Sequence, residues 1–266
     1  MITHVENPAL EVHDLTASYD KKPVLWDIDF TIPEGKMTGI IGPNGSGKTT
    51  LLKCFMGLLK PDSGFVEIFG KPLNAVRHRV SYVPQRGAVD WDFPASVMDV
   101  ALMGRYGKRG ILKRLTRKDR EIAEASLEKV NMQDFRNRQI SKLSGGQQQR
   151  VFIARALAQE ADLYFMDEPF AGVDAATENS IIQLLKEMRK QGKTLIVVHH
   201  DLQSVMDYFD WVVLLNTRLI ASGPTQEAFT NDLLKEAYGG KLTLLTKIGD
   251  LLKEQDFPAR EKNEII

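Results

Sequence analysis

One stretch near the start of the chain carries the residue types that hold phosphate groups. Residues 42–50 read Gly-Pro-Asn-Gly-Ser-Gly-Lys-Thr-Thr and fit the pattern G-x-x-x-x-G-K-[ST] in full. The glycines let the backbone curl so that several N–H groups face one anion, and the positive end of a following helix adds to that field. The predicted phosphate-binding residues are Gly42, Pro43, Asn44, Gly45, Ser46, Gly47, Lys48, Thr49 and Thr50.

The flanks of this stretch match what the pattern requires. An apolar run at residues 37–41 predicts a buried strand, and a helical pattern follows at residues 51–56. A chance glycine-rich turn would have no reason to lie between a strand and a helix. We therefore expect Lys48 to reach the β- and γ-phosphates of a nucleotide, and the Thr49 hydroxyl to bind Mg²⁺.

A pair of carboxylates follows a second apolar strand. Residues 163–166 are apolar, and Asp167 and Glu168 come directly after them. Because the carboxyl ends of parallel strands face the ligand crevice, Asp167 is expected in the Mg²⁺ shell and Glu168 near the γ-phosphate. Glu168 would accept a proton from the attacking water. Two adjacent acids after a strand are also compatible with a solvated loop, but the phosphate loop favours the catalytic interpretation.

Residues 143–147, Leu-Ser-Gly-Gly-Gln, predict a second anion site. Ser144 is a good N-cap, Gly145 and Gly146 leave the backbone N–H groups accessible, and a helix begins with the residues around Gln147. The chain therefore either binds two anions, or the second cradle of one copy faces the first cradle of another. A two-fold dimer would satisfy both cradles at once, with each nucleotide held between the copies.

The remaining patterns predict the elements that position these residues. Alternating polarity over residues 10–32 predicts antiparallel strands, and helically spaced apolar residues over 94–135 predict a helical insert. After this insert, strands alternate with helices, and one of the predicted helices covers residues 201–208. The predicted fold is α/β: a mainly parallel sheet with an N-terminal antiparallel β subdomain and a helical subdomain at about 87–160. Helically spaced apolar residues between positions 244 and 252 predict a helix within a C-terminal extension, 226–266. This helix would either pack back on the body of the protein or form a self-association surface.

Composition narrows the function classes. The formal net charge is zero, with 35 basic and 35 acidic residues, whereas nucleic-acid binders more often show a basic excess, so no nucleic-acid partner is expected. No window approaches 18 consecutive apolar residues, so no membrane-spanning helix is expected, and the N-terminus lacks signal-peptide features. A single cysteine, Cys54, excludes an internal disulfide and fits a reducing compartment.

The phosphate loop, residues 143–147 and residues 166–168, in this order, resemble the ATP-binding cassette of ABC transporters over about residues 9–225. The resemblance implies a P-loop NTPase fold, ATP and Mg²⁺ as ligands, and two cassettes that close head-to-tail on two ATP. It also implies four roles. Tyr19 matches the aromatic that stacks on adenine, Gln85 the glutamine that contacts Mg²⁺ and the attacking water, and His200 the histidine that touches the γ-phosphate. Residues 171–174 match the loop that crosses the dimer, and only Asp174 is carried over to that role, because Ala-Gly-Val-Asp departs from the commoner Ser-Ala-Leu-Asp.

An alternative role for His199 and His200 is that the two side chains bind one metal ion together. Adjacent strand residues point to opposite faces, so one ion is not easily shared between them.

Finer similarity lies in residues 86–94 and 99–107, which resemble the cassettes of manganese, zinc and iron importers. This implies an integral-membrane permease as partner, an extracytoplasmic metal-binding protein as indirect partner, and a peripheral location on the cytoplasmic face. Trp91 and Phe93 are interpreted as lining a groove for the permease, or alternatively as filling the subdomain's own core. Uptake of an iron chelate or another solute, a soluble ABC ATPase in translation or DNA repair, and a P-loop kinase or GTPase remain as alternatives.

Overall fold

The computed structural model describes residues 2–3, 5–20, 22–109 and 114–239. The predicted apolar helix between residues 244 and 252 lies outside the described residues. Among those described, no helix is both long enough and apolar enough to cross a membrane.

Nine strands form two sheets in the described part of the chain. The bounds in chain order are β1 Pro8–Tyr19, β2 Lys22–Pro33, β3 Met37–Ile41, β4 Ser63–Ile68, β5 Val80–Val83, β6 Leu163–Asp167, β7 Thr194–His199, β8 Trp211–Asn216 and β9 Arg218–Pro224.

The smaller sheet has the order β2-β1-β4 and is antiparallel throughout. In β1, buried Leu10 and Val12 alternate with half-buried Glu11 and His13, so one face packs inward and the other meets solvent. The antiparallel subdomain predicted from residues 10–32 is confirmed.

The larger sheet has the order β5-β6-β7-β3-β8-β9, and all neighbours are parallel except β8 and β9. Strands β3, β6 and β7 are buried at every position, as expected where helices cover both faces. Their carboxyl ends lie side by side, because β3 pairs with β7 and β7 pairs with β6. This arrangement brings the phosphate loop, Asp167 and His200 to one edge.

The helices are α1 Lys48–Phe55, α2 Leu73–Val76, α3 Val97–Arg109, α4 Arg117–Lys129, α5 Gly145–Ala158, α6 Ala175–Lys190, α7 Val205–Tyr208, α8 Thr225–Ala228 and α9 Asn231–Tyr238. Helices α3, α4 and α5 pack together as the predicted helical insert. Gly104 of α3 allows the closest approach, because a Cβ there would lie 2.1 Å from the Arg155 carbonyl oxygen of α5.

The predicted helix over residues 201–208 is wrong in its first half, since α7 begins only at Val205. The Asp201 carboxylate accepts hydrogen bonds from the Gln203 backbone N–H (3.0 Å) and the Ser204 hydroxyl (2.7 Å). An aspartate that bonds to nearby backbone stabilises a turn at the expense of the helix. Residues 201–204 are therefore a side-chain-stabilised turn that follows β7.

Candidate active site

The phosphate loop connects β3 to α1, as its sequence predicts. Gly45 and Gly47 have φ values of +82° and +99°, a region that L side chains rarely adopt. Gly42 is needed for space instead: a Cβ there would lie 2.0 Å from the Leu215 carbonyl oxygen and 2.7 Å from the Ser46 hydroxyl. The loop is thus shaped by its glycines and seated against the end of β8.

Lys48, the first residue of α1, is buried and its ammonium folds back over the loop. Its Nζ donates to the carbonyl oxygens of Gly42 (2.8 Å) and Pro43 (3.0 Å). Burial lowers the pKa of Lys48, while the charges of Glu168 and Asp167 act in the opposite direction. The ammonium is therefore held at the loop by two backbone carbonyl oxygens.

One cavity of about 560 Å³ collects most of the predicted catalytic residues. It is lined by Val24, Asn44, Gly45, Ser46, Gly47, Lys48, Thr49, Thr50, Gln85, Glu168 and His200. These residues come from five separate parts of the sequence, so the fold assembles the cavity. Val24 was missed by the sequence reasoning, because a valine in an alternating strand carries no chemical signal.

Asp167 lies beside the cavity at the end of β6 and is 1% exposed. Its Oδ1 accepts a hydrogen bond from the Thr49 hydroxyl (3.4 Å), and its Oδ2 is enclosed with no hydrogen-bond partner among the described residues. Burial raises the pKa of Asp167, and the bond from Thr49 opposes that effect. Oxygen ligands of this kind suit Mg²⁺, so the residues present fit the predicted ion.

Glu168 follows in a left-handed backbone conformation, with φ at +50°. For a residue with a side chain this costs roughly 1–2 kcal/mol, and such strain is common at functional sites. Gln85 Nε2 donates to its Oε2 at 3.0 Å, which fixes the carboxylate at the cavity wall. The two residues, 83 positions apart, thus meet as a hydrogen-bonded pair.

The adjacent histidines occupy different environments. His200 is exposed and lines the cavity, whereas His199 is 2% exposed and faces the interior. Burial lowers the pKa of His199 to about 4, so its imidazole is neutral at pH 7. β7 ends at His199, so His200 lies just beyond the strand, and its ring centroid is 5.9 Å from that of His199.

Residues Ser144–Gln147 form the predicted helix N-terminus away from the cavity lining. The Ser144 hydroxyl accepts from the Gln147 backbone N–H (3.3 Å), and the Gln147 side chain accepts from the Ser144 N–H (3.0 Å), a complete capping box. Gly145 gives room to Arg86, whose guanidinium would lie 2.7 Å from a Cβ there. Gly146 is less crowded, with its nearest neighbours at 3.7 Å.

Tyr19 and Asp174 also lie outside the cavity lining. Tyr19 is half exposed, and its hydroxyl accepts a hydrogen bond from Lys53 Nζ at 3.3 Å. Asp174 is the N-cap of α6 and accepts from the Thr177 backbone N–H and hydroxyl, both at 2.9 Å. These bonds lower the pKa of Asp174.

The two predicted groove aromatics behave differently. Trp91 packs against Phe152 with ring centroids 5.0 Å apart, and its Nε1 donates to the Arg86 carbonyl oxygen (2.9 Å). Phe93 is 56% exposed and lines an apolar groove of about 200 Å³ with Val89, Asp90, Ala95, Val100, Met103, Ile140 and Phe152. Trp91 therefore contributes to the subdomain's core, and Phe93 to an open surface.

Comparison with known proteins yields one consistent group. Residues 25–171 match the ABC transporter family. The manganese transport system ATP-binding protein MntB of Bacillus subtilis (strain 168) is 60% identical over 236 residues, covering 89% of this chain and 94% of that protein. The zinc transport system ATP-binding protein TroB of Treponema pallidum (strain Nichols) is 59% identical over 235 residues, covering 88% of each.

Solved structures agree with the sequence matches. An ATP-binding cassette of an ABC transporter in its ADP conformation superposes with a TM-score of 0.71 at 26% identity, covering 88% of this chain and 99% of that one. The cbiO1 subunit from Clostridium perfringens, part of an ABC transporter complex, gives 0.72 at 31% identity, covering 93% and 100%. The predicted fold class is thereby confirmed.

Proposed function

This chain belongs to the ABC transporter family of ATP-hydrolysing subunits, and from that membership we propose that it drives the import of manganese, zinc or iron ions. The identity to subunits named for manganese and zinc transport supports this cargo class, and manganese and zinc are favoured over iron by those names. The proposed ATP hydrolysis is supported mainly by one cavity, in which the phosphate loop, Gln85, Glu168 and His200 meet.

In the proposed reaction, water attacks the γ-phosphorus of ATP in line, the bond to the bridging oxygen of the β-phosphate breaks, and ADP leaves as inorganic phosphate forms. The loop N–H groups and Lys48 hold the phosphates, and Glu168 accepts the proton of the water. Gln85 donates to the Glu168 carboxylate and so orients it toward the same water. We assign His200, which lines the same cavity, to contact with the γ-phosphate, and Tyr19 to stacking on the adenine.

We assign Thr49, Asp167 and Gln85 to the Mg²⁺ that accompanies ATP. The buried, unpartnered Oδ2 of Asp167 supports this assignment, because an enclosed carboxylate oxygen needs a hydrogen bond or a cation. Held by these residues, Mg²⁺ would supply positive charge that offsets the charge developing on the phosphates. The described residues alone would leave that oxygen unsatisfied.

Two copies are proposed to share each ATP. The helix N-terminus at Ser144–Gln147 presents backbone N–H groups and a positive dipole, yet these residues do not line the cavity of their own chain. In a head-to-tail homodimer they would complete the partner's site, with Ser144, Gly145, Gly146 and Gln147 against the γ-phosphate. Asp174 would lie at the crossing between the two copies.

The permease is proposed to dock at the apolar groove around Phe93. Exposed Phe93 and Met103 suit an interface core, where aromatic and methionine side chains are enriched. Docked there, the chain would sit peripherally on the cytoplasmic face of the membrane. An extracytoplasmic metal-binding protein would then act through the permease, without touching this chain.

A mixing experiment tests the shared site. Lys48→Ala and Ser144→Ala variants should each be nearly inactive, because every homodimer site lacks one half. A one-to-one mixture should regain about a quarter of the parent ATPase rate, since half of randomly formed dimers contain one intact site. A mixture as inactive as its components, or full turnover by a strictly monomeric chain, would refute the shared site.

Transport is tested separately, by ion uptake in vesicles that contain the permease.

A further inference from the structure

The segment just after β7 holds a buried side chain to which the mechanism above gives no role. His199 ends β7 with its imidazole enclosed, while the next residue, His200, reaches the cavity. A polar side chain in an apolar interior is costly unless it is hydrogen-bonded. The partner that His199 uses therefore shows what this position contributes.

His199 Nε2 lies 2.8 Å from the Ser204 hydroxyl. That hydroxyl also donates to the Asp201 carboxylate at 2.7 Å, and it has only one proton to give. His199 must therefore donate from Nε2 to the Ser204 oxygen, which fixes the neutral Nε2–H tautomer. The result is a directed chain of hydrogen bonds from His199 through Ser204 to Asp201.

This chain bridges the residue on each side of His200. His199 precedes it on β7, and Asp201 follows it in the turn, where the carboxylate also accepts from the Gln203 N–H (3.0 Å). His200 therefore sits at the tip of a loop whose two ends are tied by the Ser204 hydroxyl. In contrast, the described structure assigns no hydrogen bond to the His200 side chain itself.

Aromatic rings close the other sides of His199. Phe170, Phe209 and Tyr208 lie with centroids 5.6, 5.4 and 5.9 Å from its ring. Phe170 is two residues beyond Glu168, and the Tyr208 hydroxyl donates to Glu178 of α6 at 3.3 Å. The imidazole is therefore clamped between the segment that carries Glu168 and the segment that carries His200.

We propose that His199 and Ser204 are positioning residues that hold His200 over the cavity through the His199–Ser204–Asp201 hydrogen bonds. This inference rests on the proposed role of His200 at the γ-phosphate. It assigns no contact with ATP to either residue. Their contribution is to restrict the loop, so that His200 needs no further ordering when ATP arrives.

Ser204→Ala is the sharpest perturbation, because it removes one hydroxyl and leaves the packing of His199 intact. We expect kcat to fall about 3- to 10-fold, the effect of one lost hydrogen bond, with KM for ATP unchanged. Ser204→Thr, which keeps the hydroxyl, should restore the rate. Ser126→Ala is the matched control, since its hydroxyl bonds to the Ile122 carbonyl oxygen within α4.

A double-mutant cycle separates positioning from general stability. If Ser204 acts through His200, adding Ser204→Ala to His200→Ala should cost little further activity in single-turnover assays. An equal 3- to 10-fold loss in both backgrounds would overturn the proposal, as would a Ser204→Ala variant with the parent kcat. If His200→Ala itself keeps the parent rate, the role proposed for His200 fails instead.

Histidine NMR gives a readout that needs no turnover, because the chain has only five histidines. The His199 ring should show the Nε2–H tautomer, and Ser204→Ala should shift and broaden the His200 ring signals. The signals of His13 and His78 should stay in place as internal references. Unchanged His200 signals in Ser204→Ala, or an Nδ1–H tautomer at His199, would contradict the proposal.

Discussion

Replacement of Glu168 by glutamine removes the proton acceptor and its negative charge but keeps the size and shape of the side chain. The amide has the same size, and its oxygen can still accept the 3.0 Å hydrogen bond from Gln85 Nε2. Asp167 remains as a negative charge near Lys48, so the ammonium keeps one of its two carboxylate neighbours. ATP binding should therefore survive, while the water loses its proton acceptor.

A positioned general base contributes about 10²–10⁴ in rate, which corresponds to roughly 2.7–5.4 kcal/mol of transition-state stabilisation. We expect kcat of Glu168→Gln to fall by this factor, with the Kd for ATP within about two-fold of the parent, because the phosphate loop is untouched. Phosphate release measures the first quantity and equilibrium dialysis with labelled ATP the second. Glu227→Gln, on the exposed side of α8, is the matched control and should retain the parent values.

The same variant has a structural consequence. Since ATP is not consumed, the two copies should stay joined by two nucleotides, and light scattering should report a dimer that forms only with ATP. Hydrolysis by Glu168→Gln at the parent rate would refute the assignment of Glu168 as base. Inactivity combined with lost ATP binding would show instead that the carboxylate organises the cavity.

Three further predictions concern other parts of the site. Gly42→Ala should lower the free energy of unfolding by about 1–3 kcal/mol, because its Cβ would lie 2.0 Å from the Leu215 carbonyl oxygen. Denaturant titration measures this, with Gly87→Ala as control because a Cβ there meets nothing within 4 Å; equal stabilities would contradict the packing argument. Lys48→Ala should weaken ATP binding itself, whereas Ser144→Ala should leave the Kd of the monomer nearly unchanged; equal losses in dialysis would argue against two half-sites. The folded pKa of His199, about 4, lies below its unfolded value of 6.5, so the stabilising effect is present above pH 6.5 and lost as pH falls toward 4. The loss amounts to about 3 kcal/mol, and His199→Asn should show a correspondingly shallower slope of unfolding free energy against pH; parallel slopes would contradict a buried neutral imidazole.

Candidate site residues could be predicted from the sequence where both the residue type and the spacing between residues are constrained. The phosphate loop needs glycines, a lysine and a hydroxyl in one order, and Asp167 and Glu168 follow a strand whose burial is visible in its composition. Parallel pairing of β3, β6 and β7 then brings these segments together, so the sheet and the cavity could be anticipated.

Features created by contacts between distant segments could not be predicted. Val24 lines the cavity only because β2 passes the phosphate loop, and Gly42 is confined by Leu215, 173 positions away. The start of α7 at Val205 depends on the Asp201 hydrogen bonds, which compete with a helical pattern. The roles of Tyr19, Asp174 and Ser144–Gln147 stay predictions, because each needs a ligand or a second copy of the chain.

The approach of Arg86 to Gly145 has a mechanical consequence. Arg86 follows Gln85 directly, its Nε donates to Gln148 of α5 at 3.3 Å, and Trp91 in the same loop packs on Phe152 of that helix. The loop is thus attached to the first two turns of α5 through Arg86 and Trp91. A displacement of this loop can start at the nucleotide or at the surface around Phe93. In either case it would move the N-terminus of α5 at Ser144 as well, or break these contacts.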